Sequence, residues 1–280
     1  MPEQQNTNGC TEESCAGCAH ADSCSSKKED FREPENKYSS IKKVIGVVSG
    51  KGGVGKSLVT ASLARMMREK GYTVGILDAD ITGPSIPKMY GIHEKARGTE
   101  EGILPCIAKD ETRIMSVNLL LEDESAPVIW RGPIIAGVVK QFWTDVMWGD
   151  IDYLFVDMPP GTGDIQLSLS QEVPLTGAIV VTTPQDIALM DAKKGLVMFE
   201  KVNVPILGII ENMATHICSK CGHEEHIFGE GGAKKMAEQY GVKLLGEIPL
   251  DINIRLSMDK GEPIVEAAPD SKGAQVYKEI

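Results

Sequence analysis

The sequence has no long apolar run and no recognisable export signal. Its first ten residues, MPEQQNTNGC, contain no basic segment followed by hydrophobic residues, so no secretory signal is predicted. No stretch approaches the roughly 18 consecutive apolar residues that a membrane-spanning helix needs. We therefore expect a cytoplasmic protein that has no membrane partner.

Aromatic and basic residues are also scarce. Aromatics make up 5% of the 280 residues, and 29 Lys and Arg stand against 40 Asp and Glu, which gives a net charge of −11. A polyanion such as DNA repels such a chain, so no nucleic-acid partner is expected. Hydrophobic residues make up 42%, and a core of Val, Ile, Leu and Met suits a buried parallel sheet.

Three regions differ in composition. Residues 1–24 are polar and hold four of the seven cysteines, residues 25–42 read as a charged linker, and residues 43–280 alternate apolar runs with helical segments. The alternation predicts an α/β fold with a doubly wound, mainly parallel sheet. Strands are predicted at 44–49, 73–78, 153–156, 178–181, 206–210 and 244–248, a hairpin around 109–111, and helices at 56–70, 133–148, 186–201 and 231–240.

A glycine-rich segment follows the first predicted strand and opens a helix. It reads Gly50-Lys51-Gly52-Gly53-Val54-Gly55-Lys56-Ser57 and matches the G-x-x-x-x-G-K-[ST] pattern of phosphate-binding loops. We expect its backbone N–H groups to bind phosphate oxygens, aided by the positive end of the helix. In that arrangement Lys56 bridges the β- and γ-phosphates of a nucleotide, and Ser57 binds Mg²⁺.

Acidic residues end two of the predicted strands. Asp78 and Asp80 close the second strand, and Asp157 closes the run Tyr-Leu-Phe-Val-Asp. Ligands of open parallel sheets bind at the carboxyl ends of the strands. Asp157 is therefore predicted to hold Mg²⁺, directly or through water, and Asp80 to orient or deprotonate the attacking water. The role of Asp78 is left open.

Lys51 gives the loop a second lysine. The run K-G-G-V-G-K-S resembles the deviant Walker A loop of the class that contains MinD, ParA, the arsenite pump and the nitrogenase iron protein. The resemblance implies a homodimer in which Lys51 reaches the partner's nucleotide, much as an arginine finger does. It also implies that Asn212 contacts adenine and that Pro249 packs against the base. The alternative for Lys51 is a solvated lysine.

ATP is the expected nucleotide, since the guanine-reading tetrapeptide Asn-Lys-x-Asp does not occur in the sequence.

Two longer segments indicate which family within the deviant Walker A class this chain resembles. Trp148–Asp164 reads W-G-D-I-D-Y-L-F-V-D-M-P-P-G-T-G-D, and Gly75–Pro87 reads G-I-L-D-A-D-I-T-G-P-S-I-P. Together with a later Cys-x-x-Cys pair, they resemble the Mrp/ApbC family of P-loop ATPases. The resemblance implies a slow Mg²⁺-dependent ATPase that takes iron–sulfur clusters from a donor and carries them to apo-acceptor proteins.

The later pair is Cys218 and Cys221. A [4Fe–4S] cluster generally takes four cysteine ligands, so one chain supplies only half the set. A symmetric dimer in which both pairs face one bridging cluster completes it. Zinc is an alternative, because His223 and His226 follow at once, and a metal-free redox dithiol is another.

The N-terminal region holds Cys10, Cys15, Cys18 and Cys24. Four thiolates in fifteen residues suffice for a second [4Fe–4S] cluster within one chain. The last three resemble, in their spacing, the N-terminal extension of the Nbp-type branch of the family, whereas the interval after Cys10 is shorter. Zinc and a metal-free tail remain alternatives.

The function predicted from the sequence is an ATP-binding and ATP-hydrolysing iron–sulfur cluster carrier or scaffold. One alternative is an ATP-dependent electron donor resembling the nitrogenase iron protein. Another is a MinD- or ParA-like positioning ATPase with a zinc site, but the C-terminal residues AAPDSKGAQVYKEI lack the basic amphipathic stripe of a membrane-surface helix.

Overall fold

The computed structural model describes residues 32–81, 83–121, 132–218, 220–262 and 264–280, without the side chains of 132, 133 and 164. The predicted N-terminal ligands Cys10, Cys15, Cys18 and Cys24 lie outside these residues. Within them, no helix combines the length and the apolar character that crossing a bilayer requires.

Strands and helices alternate along most of the chain. The strands are β1 (Ser39–Val48), β2 (Val74–Asp78), β3 (Arg97–Gly98), β4 (Ile103–Leu104), β5 (Cys106–Ile107), β6 (Arg113–Met115), β7 (Gly149–Asp157), β8 (Gly177–Thr182), β9 (Ile206–Ile217), β10 (Glu224–Glu225) and β11 (Leu244–Leu250). The helices are α1 (Lys56–Glu69), α2 (Ile86–Met89), α3 (Gly132–Thr144), α4 (Asp164–Glu172), α5 (Asp186–Lys201), α6 (Gly232–Tyr240), α7 (Ile252–Asp259), α8 (Ile264–Ala267) and α9 (Lys272–Glu279).

Among the described residues, nine strands form one sheet. Its order is β10-β9-β8-β1-β7-β2-β6-β5, and β11 pairs with β9 as well. All pairings are parallel except those of β5 with β6 and of β10 with β9. The predicted doubly wound, mainly parallel sheet is confirmed.

Helices cover both faces of the sheet, because the strands are apolar on both sides. On one face, α3, α4, α5 and α6 pack over Val44, Leu154 and Val180. On the other, α1, α2, α7, α8 and α9 pack over Val47, Ile76 and Ile179. The two layers leave the carboxyl ends of the central strands and the turns that follow them as the edge where a ligand can bind.

Several strands are longer than the sequence predicted, among them β1, β7 and β9. β1 begins at Ser39 rather than at residue 44, because Ser39, Ser40 and Ile41 pair with the start of β7. β9 continues to Ile217 rather than ending at residue 210, because its second half pairs with β11 and its last two residues pair with β10. The predicted helix at 186–201 is confirmed, and so is the antiparallel excursion around 109–111.

Candidate functional site

The glycine-rich loop joins β1 to α1 at the carboxyl edge of the sheet. α1 begins at Lys56, directly after Gly55, whose φ of 85° lies in the left-handed region. The loop residues line a cleft of about 230 Å³ together with Asp80, Ser85, Met89 and Pro160. Lys51, half-exposed, also lines this cleft. The predicted strand–loop–helix context of a phosphate site is therefore present.

Two of the loop glycines allow close approach by neighbouring chain segments. A Cβ at Gly50 would lie 2.3 Å from the backbone carbon of Asp191 on α5. A Cβ at Gly55 would lie 2.2 Å from Nδ2 of Asn212. Side chains are excluded at both positions, so the loop can fold tightly against α5 and β9.

Asp157 is the centre of the polar site and has no exposed surface. Its Oδ1 accepts hydrogen bonds from Lys56 Nζ at 2.7 Å and from Thr60 Oγ1 at 2.9 Å, and its Oδ2 accepts one from Ser57 Oγ at 2.5 Å. These donors offset the cost of burying a carboxylate. The position follows from the sheet, since Asp157 ends β7 beside Val47 of β1 and Asp78 of β2.

Asp78 ends β2 beside Asp157 and is fully buried. Burial and the adjacent Asp157 carboxylate raise the pKa of Asp78 to about 8, although Lys56 and a 3.1 Å hydrogen bond from Ser116 act in the opposite direction. The direction of this shift favours the protonated form of Asp78 beside Asp157.

Asp80 lies on the other side of Lys56. Its Oδ2 is 3.6 Å from Lys56 Nζ, and the residue lines the cleft. Asp80 and Asp157 thus flank the lysine that the sequence assigns to the phosphates, and the Ser57 hydroxyl bonds to the second oxygen of Asp157. Carboxylate and hydroxyl oxygens at the mouth of a phosphate loop are the donor set that suits Mg²⁺, so the side chains present fit this ion.

Asn212 lies on β9 next to the loop and is almost wholly buried. Its Nδ2 donates to the carbonyl oxygen of Val54 at 2.8 Å. Ile248 of β11 pairs with Asn212, and the buried Pro249 follows it. The two residues that the family resemblance assigns to the adenine base therefore lie on adjacent strands beside the loop.

The Cys-x-x-Cys pair forms the turn between β9 and β10. The turn is closed by hydrogen bonds from the Cys218 N–H to the His223 carbonyl at 2.9 Å and from the Gly222 N–H to the Cys218 carbonyl at 2.8 Å. Cys218 is half-buried and Cys221 is exposed. Hydrogen bonds from the backbone N–H groups of Lys220 and Cys221, and from the Cys221 thiol, lower the pKa of Cys218. The turn thus favours a thiolate, the form that binds metal.

The histidines of the alternative zinc site are not gathered with these thiols. His226 bonds through Nδ1 to the Ala214 carbonyl at 3.1 Å and lies 3.7 Å from Glu230. Across the described ranges, no group of three or more His, Cys, Asp or Glu side chains is arranged to hold a metal ion. One chain presents a pair of thiols at this turn.

A single strand links the loop to the cysteine turn. Asn212 contacts the loop, and Cys218 follows the end of β9 six residues later. Met213, directly after Asn212, has a φ of 58°, a left-handed conformation that is rare for a residue other than glycine. The pairing of β9 with β11 also shifts register between Ile248 and Leu250. The strand therefore bends where it leaves the loop.

Sequence reasoning missed Thr60 and Ser116, which hold Asp157 and Asp78. Thr60 lies four residues after Lys56, on the same face of α1. That spacing was a usable signal. Ser116 follows β6, and only the pairing of β6 with β2 brings it to Asp78.

Comparisons with known proteins agree with this geometry. The family model of the ParA-type NUBPL iron-transfer P-loop NTPases matches residues 40–280. An iron–sulfur cluster carrier protein of Pseudomonas fragi is 51% identical over 86% of this chain and 84% of its own length. A carrier protein of the same name from Salmonella typhimurium is 52% identical, and there the aligned part of this chain spans 65% of the relative's length.

A solved structure supports the nucleotide site. The nucleotide-binding protein of Archaeoglobus fulgidus in complex with ADP shares 40% identity with this chain, at a TM-score of 0.71, over 80% of this chain and 88% of that one. The loop, the acidic strand ends, the sheet order and the family match lead to one conclusion. The chain belongs to the NUBPL and Mrp/ApbC family of ParA-like P-loop NTPases.

Proposed function

We propose that this chain is an ATP-hydrolysing carrier of [4Fe–4S] clusters that works as a homodimer. The observation that carries the proposal is β9, which joins a phosphate-loop contact at Asn212 to an exposed pair of thiols at Cys218 and Cys221. Relatives that are half identical to this chain are named iron–sulfur cluster carrier proteins. One strand thus connects a nucleotide site with a site for the cargo.

The nucleotide site divides its tasks among a few groups. Gly50–Gly55 bind phosphate oxygens through backbone N–H groups, and Lys56 turns from Asp157 toward the β- and γ-phosphates. Ser57 and Asp157 hold Mg²⁺, which neutralises charge that develops on the phosphates. Asp80 lines the cleft beside Lys56 and orients the attacking water. The products are ADP and phosphate.

The base is adenine, because of the way Asn212 is held. Its Nδ2 donates one N–H to the Val54 carbonyl, which orients the amide, and the Oδ1 of the same amide is an acceptor. Adenine offers an amino group at N6, whereas guanine offers an oxygen at the equivalent position. The amide thus complements adenine, and the buried Pro249 on the neighbouring strand packs against the ring.

The cargo requires two chains. Cys218 and Cys221 of each protomer supply two thiolates, and two protomers related by a two-fold axis supply the four that a [4Fe–4S] cluster takes. Large exposed apolar side chains lie at the same edge of the fold, at the start of α5 (Ile187 and Met190) and near the end of β11 (Leu250 and Ile252). An apolar edge of this kind suits contact between two copies.

Dimerisation also gives Lys51 its role. The residue lines the phosphate cleft without a hydrogen bond from its ammonium group to another described residue. In a face-to-face dimer it reaches the partner's phosphates and supplies positive charge there.

A donor protein loads the bridging cluster, and apo-acceptor proteins receive it. The N-terminal cysteines provide a second [4Fe–4S] site, a proposal that rests on their spacing alone.

Anaerobic reconstitution with iron and sulfide tests the proposal. We expect Cys218→Ala to lose the iron of the bridging cluster and the iron-dependent dimer, as measured by iron per chain and light scattering. Cys106→Ala is the matched control, since Cys106 is a half-buried thiol on β5 that packs against the core and whose Sγ donates a hydrogen bond to the Glu94 carbonyl. Cys15→Ala separates the iron bound by the N-terminal cysteines.

A second measurement tests the link to ATP. Lys56→Ala is expected to lose ATP binding and, with it, ATP-dependent transfer of the cluster to an apo-acceptor. Undiminished transfer by this variant would show that nucleotide does not govern the cargo. A Cys218→Ala chain that keeps its full iron content and its dimer would refute the bridging site.

A further inference from the structure

Thr60 lies one helical turn after Lys56 on α1, and its side chain has no exposed surface. Its Oγ1 lies 2.9 Å from Oδ1 of Asp157 and 3.0 Å from the carbonyl oxygen of Lys56. A hydroxyl carries one proton, so it donates fully to only one of these acceptors at a time. The Thr60 hydroxyl therefore donates its proton either to the helix backbone or to the carboxylate of Asp157.

The hydrogen bond from the Thr60 hydroxyl is more stabilising for one of these two acceptors than for the other. The Lys56 carbonyl already accepts the backbone N–H of Thr60 within α1, as the i to i−4 pattern of a helix requires. Asp157 is a buried carboxylate, for which each donor offsets part of the cost of burial. Hydrogen bonds to a charged acceptor are also stronger than those to a neutral one. The Thr60 proton is therefore directed to Asp157.

The hydrogen bond from Thr60 to Asp157 becomes more important when a nucleotide enters the cleft. Oδ1 of Asp157 accepts from Lys56 and from Thr60, while Oδ2 accepts from Ser57. A Lys56 ammonium that turns to phosphate oxygens leaves Oδ1, and Thr60 is then the donor that remains on this oxygen among the described residues. Because Thr60 sits on a packed helix, it can hold Oδ1 in place throughout.

We propose that Thr60 is a positioning residue of the metal site: its hydroxyl anchors Oδ1 of Asp157, so that Oδ2 stays directed at Ser57, where Mg²⁺ binds. The inference rests on the role proposed above for Asp157. In this proposal the two carboxylate oxygens of Asp157 have different roles: Oδ1 is fixed to α1, and Oδ2 faces the cation.

The test measures binding rather than turnover. The affinity of the full chain for ADP is determined by calorimetry with Mg²⁺ and with EDTA, and the ratio of the two Kd values gives the gain due to Mg²⁺. Thr60→Val keeps the branched shape and removes the hydroxyl, so we expect it to lower this gain on the order of tenfold. The affinity in EDTA is expected to stay at the wild-type value. Thr60→Ser restores the hydroxyl and is expected to restore the gain.

Ser62→Ala is the matched control, because it removes another buried hydroxyl from the same helix, one that lies beside Tyr277. If Thr60→Val fails to fold by circular dichroism, Thr60→Ala takes its place, with Thr60→Ser still required to match the wild type. An equal loss of affinity with and without Mg²⁺ overturns the inference, since it indicates a general defect of the loop. A wild-type gain that Thr60→Val retains overturns this inference alone, whereas a wild-type chain without any gain overturns the proposed metal site too.

Discussion

Asn212 and Val54 are joined by a 2.8 Å hydrogen bond from the side-chain amide of one to the backbone carbonyl of the other, across 158 positions of sequence. The bond fixes a residue of β9 against the phosphate loop. It also fixes which end of the amide faces the loop, since only the nitrogen can donate to a carbonyl. The polar contacts of Lys56, Ser57 and Thr60 converge separately on Asp157.

The first prediction concerns base selection. Asn212→Ala removes the amide acceptor proposed to meet adenine, so we expect ATP affinity to fall on the order of tenfold. GTP affinity is expected to change much less, because guanine has an oxygen where adenine has its amino group and so gives the Oδ1 acceptor no donor there. Competition binding with the two nucleotides measures the ratio. Gln275→Ala, which removes an exposed amide on α9, is the control, and an unchanged ratio in Asn212→Ala would contradict the proposed contact.

The second prediction concerns two glycines of the loop. Ala at Gly55 meets both a left-handed φ of 85° and Asn212 Nδ2 at 2.2 Å, whereas no heavy atom of the described residues lies within 4 Å of a Cβ at Gly52. We expect Gly55→Ala to lower the free energy of unfolding by about 1–3 kcal/mol. Gly52→Ala is expected to stay within about 0.5 kcal/mol of the wild type. Urea unfolding without nucleotide compares the pair, and equal effects would argue against the close approach of Asn212.

The third prediction concerns whether Lys51 acts on its own nucleotide or on the partner's. Lys51→Ala and Lys56→Ala are each expected to lose ATP hydrolysis. In a mixed dimer, the Lys51→Ala chain keeps its own Lys56 and receives Lys51 from its partner, which restores one site. Co-expression of the two variants should therefore recover roughly a quarter of wild-type activity, if chains pair at random in a two-fold dimer. Lys70→Ala serves as the control for an exposed lysine, and no recovery would place Lys51 at its own site.

The fourth prediction concerns pH and the edge of the sheet opposite the site. Hydrogen bonds from Lys42 and from the backbone and hydroxyl of Thr73 lower the pKa of Asp152 to about 2. A carboxyl whose pKa is lower in the folded chain than in the unfolded chain stabilises the fold at pH values above the unfolded pKa. That contribution is lost as the pH falls from about 4 toward 2.

Asp152→Asn is therefore expected to lower the urea midpoint at pH 7, with a difference from the wild type that shrinks below pH 4. The control is Asp150→Asn, an exposed carboxyl on the same strand that acts on Lys42 through its charge but makes no side-chain hydrogen bond with it. Unfolding curves over this pH range measure both. A difference that stays constant with pH would show that the contribution does not come from the charge of Asp152.

Much of the nucleotide site could be predicted because its signals are local. Gly50–Ser57 carry their pattern within eight residues, and Asp80 and Asp157 stand at the ends of apolar runs that read as strands. The relative positions of these segments then follow from the rules for parallel sheets. The structure places Asp80 in the cleft that the loop lines, and Asp157 behind it, in contact with Lys56 and Ser57.

The parts of the fold and of the site that the sequence did not predict depend on pairing between distant segments. The residues after 210 in β9, E-N-M-A-T-H-I, are mixed in polarity and have no strand periodicity. They form a strand because β11 and β10 supply partners. The polar start of β1 is a strand for the same reason, through its pairing with β7. Likewise, Thr60 reads as an ordinary helix residue until β7 brings Asp157 to it across 97 positions.

The length of β9 sets a limit on how far apart the two reactive centres can be. From Asn212 to Cys218 the chain advances six residues, which span at most about 20 Å when fully extended. The bend at Met213 shortens that reach. If two chains meet at the carboxyl edges of their sheets, each nucleotide would therefore lie within this distance of the shared cluster. The loss of a phosphate could then change the position of Cys218 through β9.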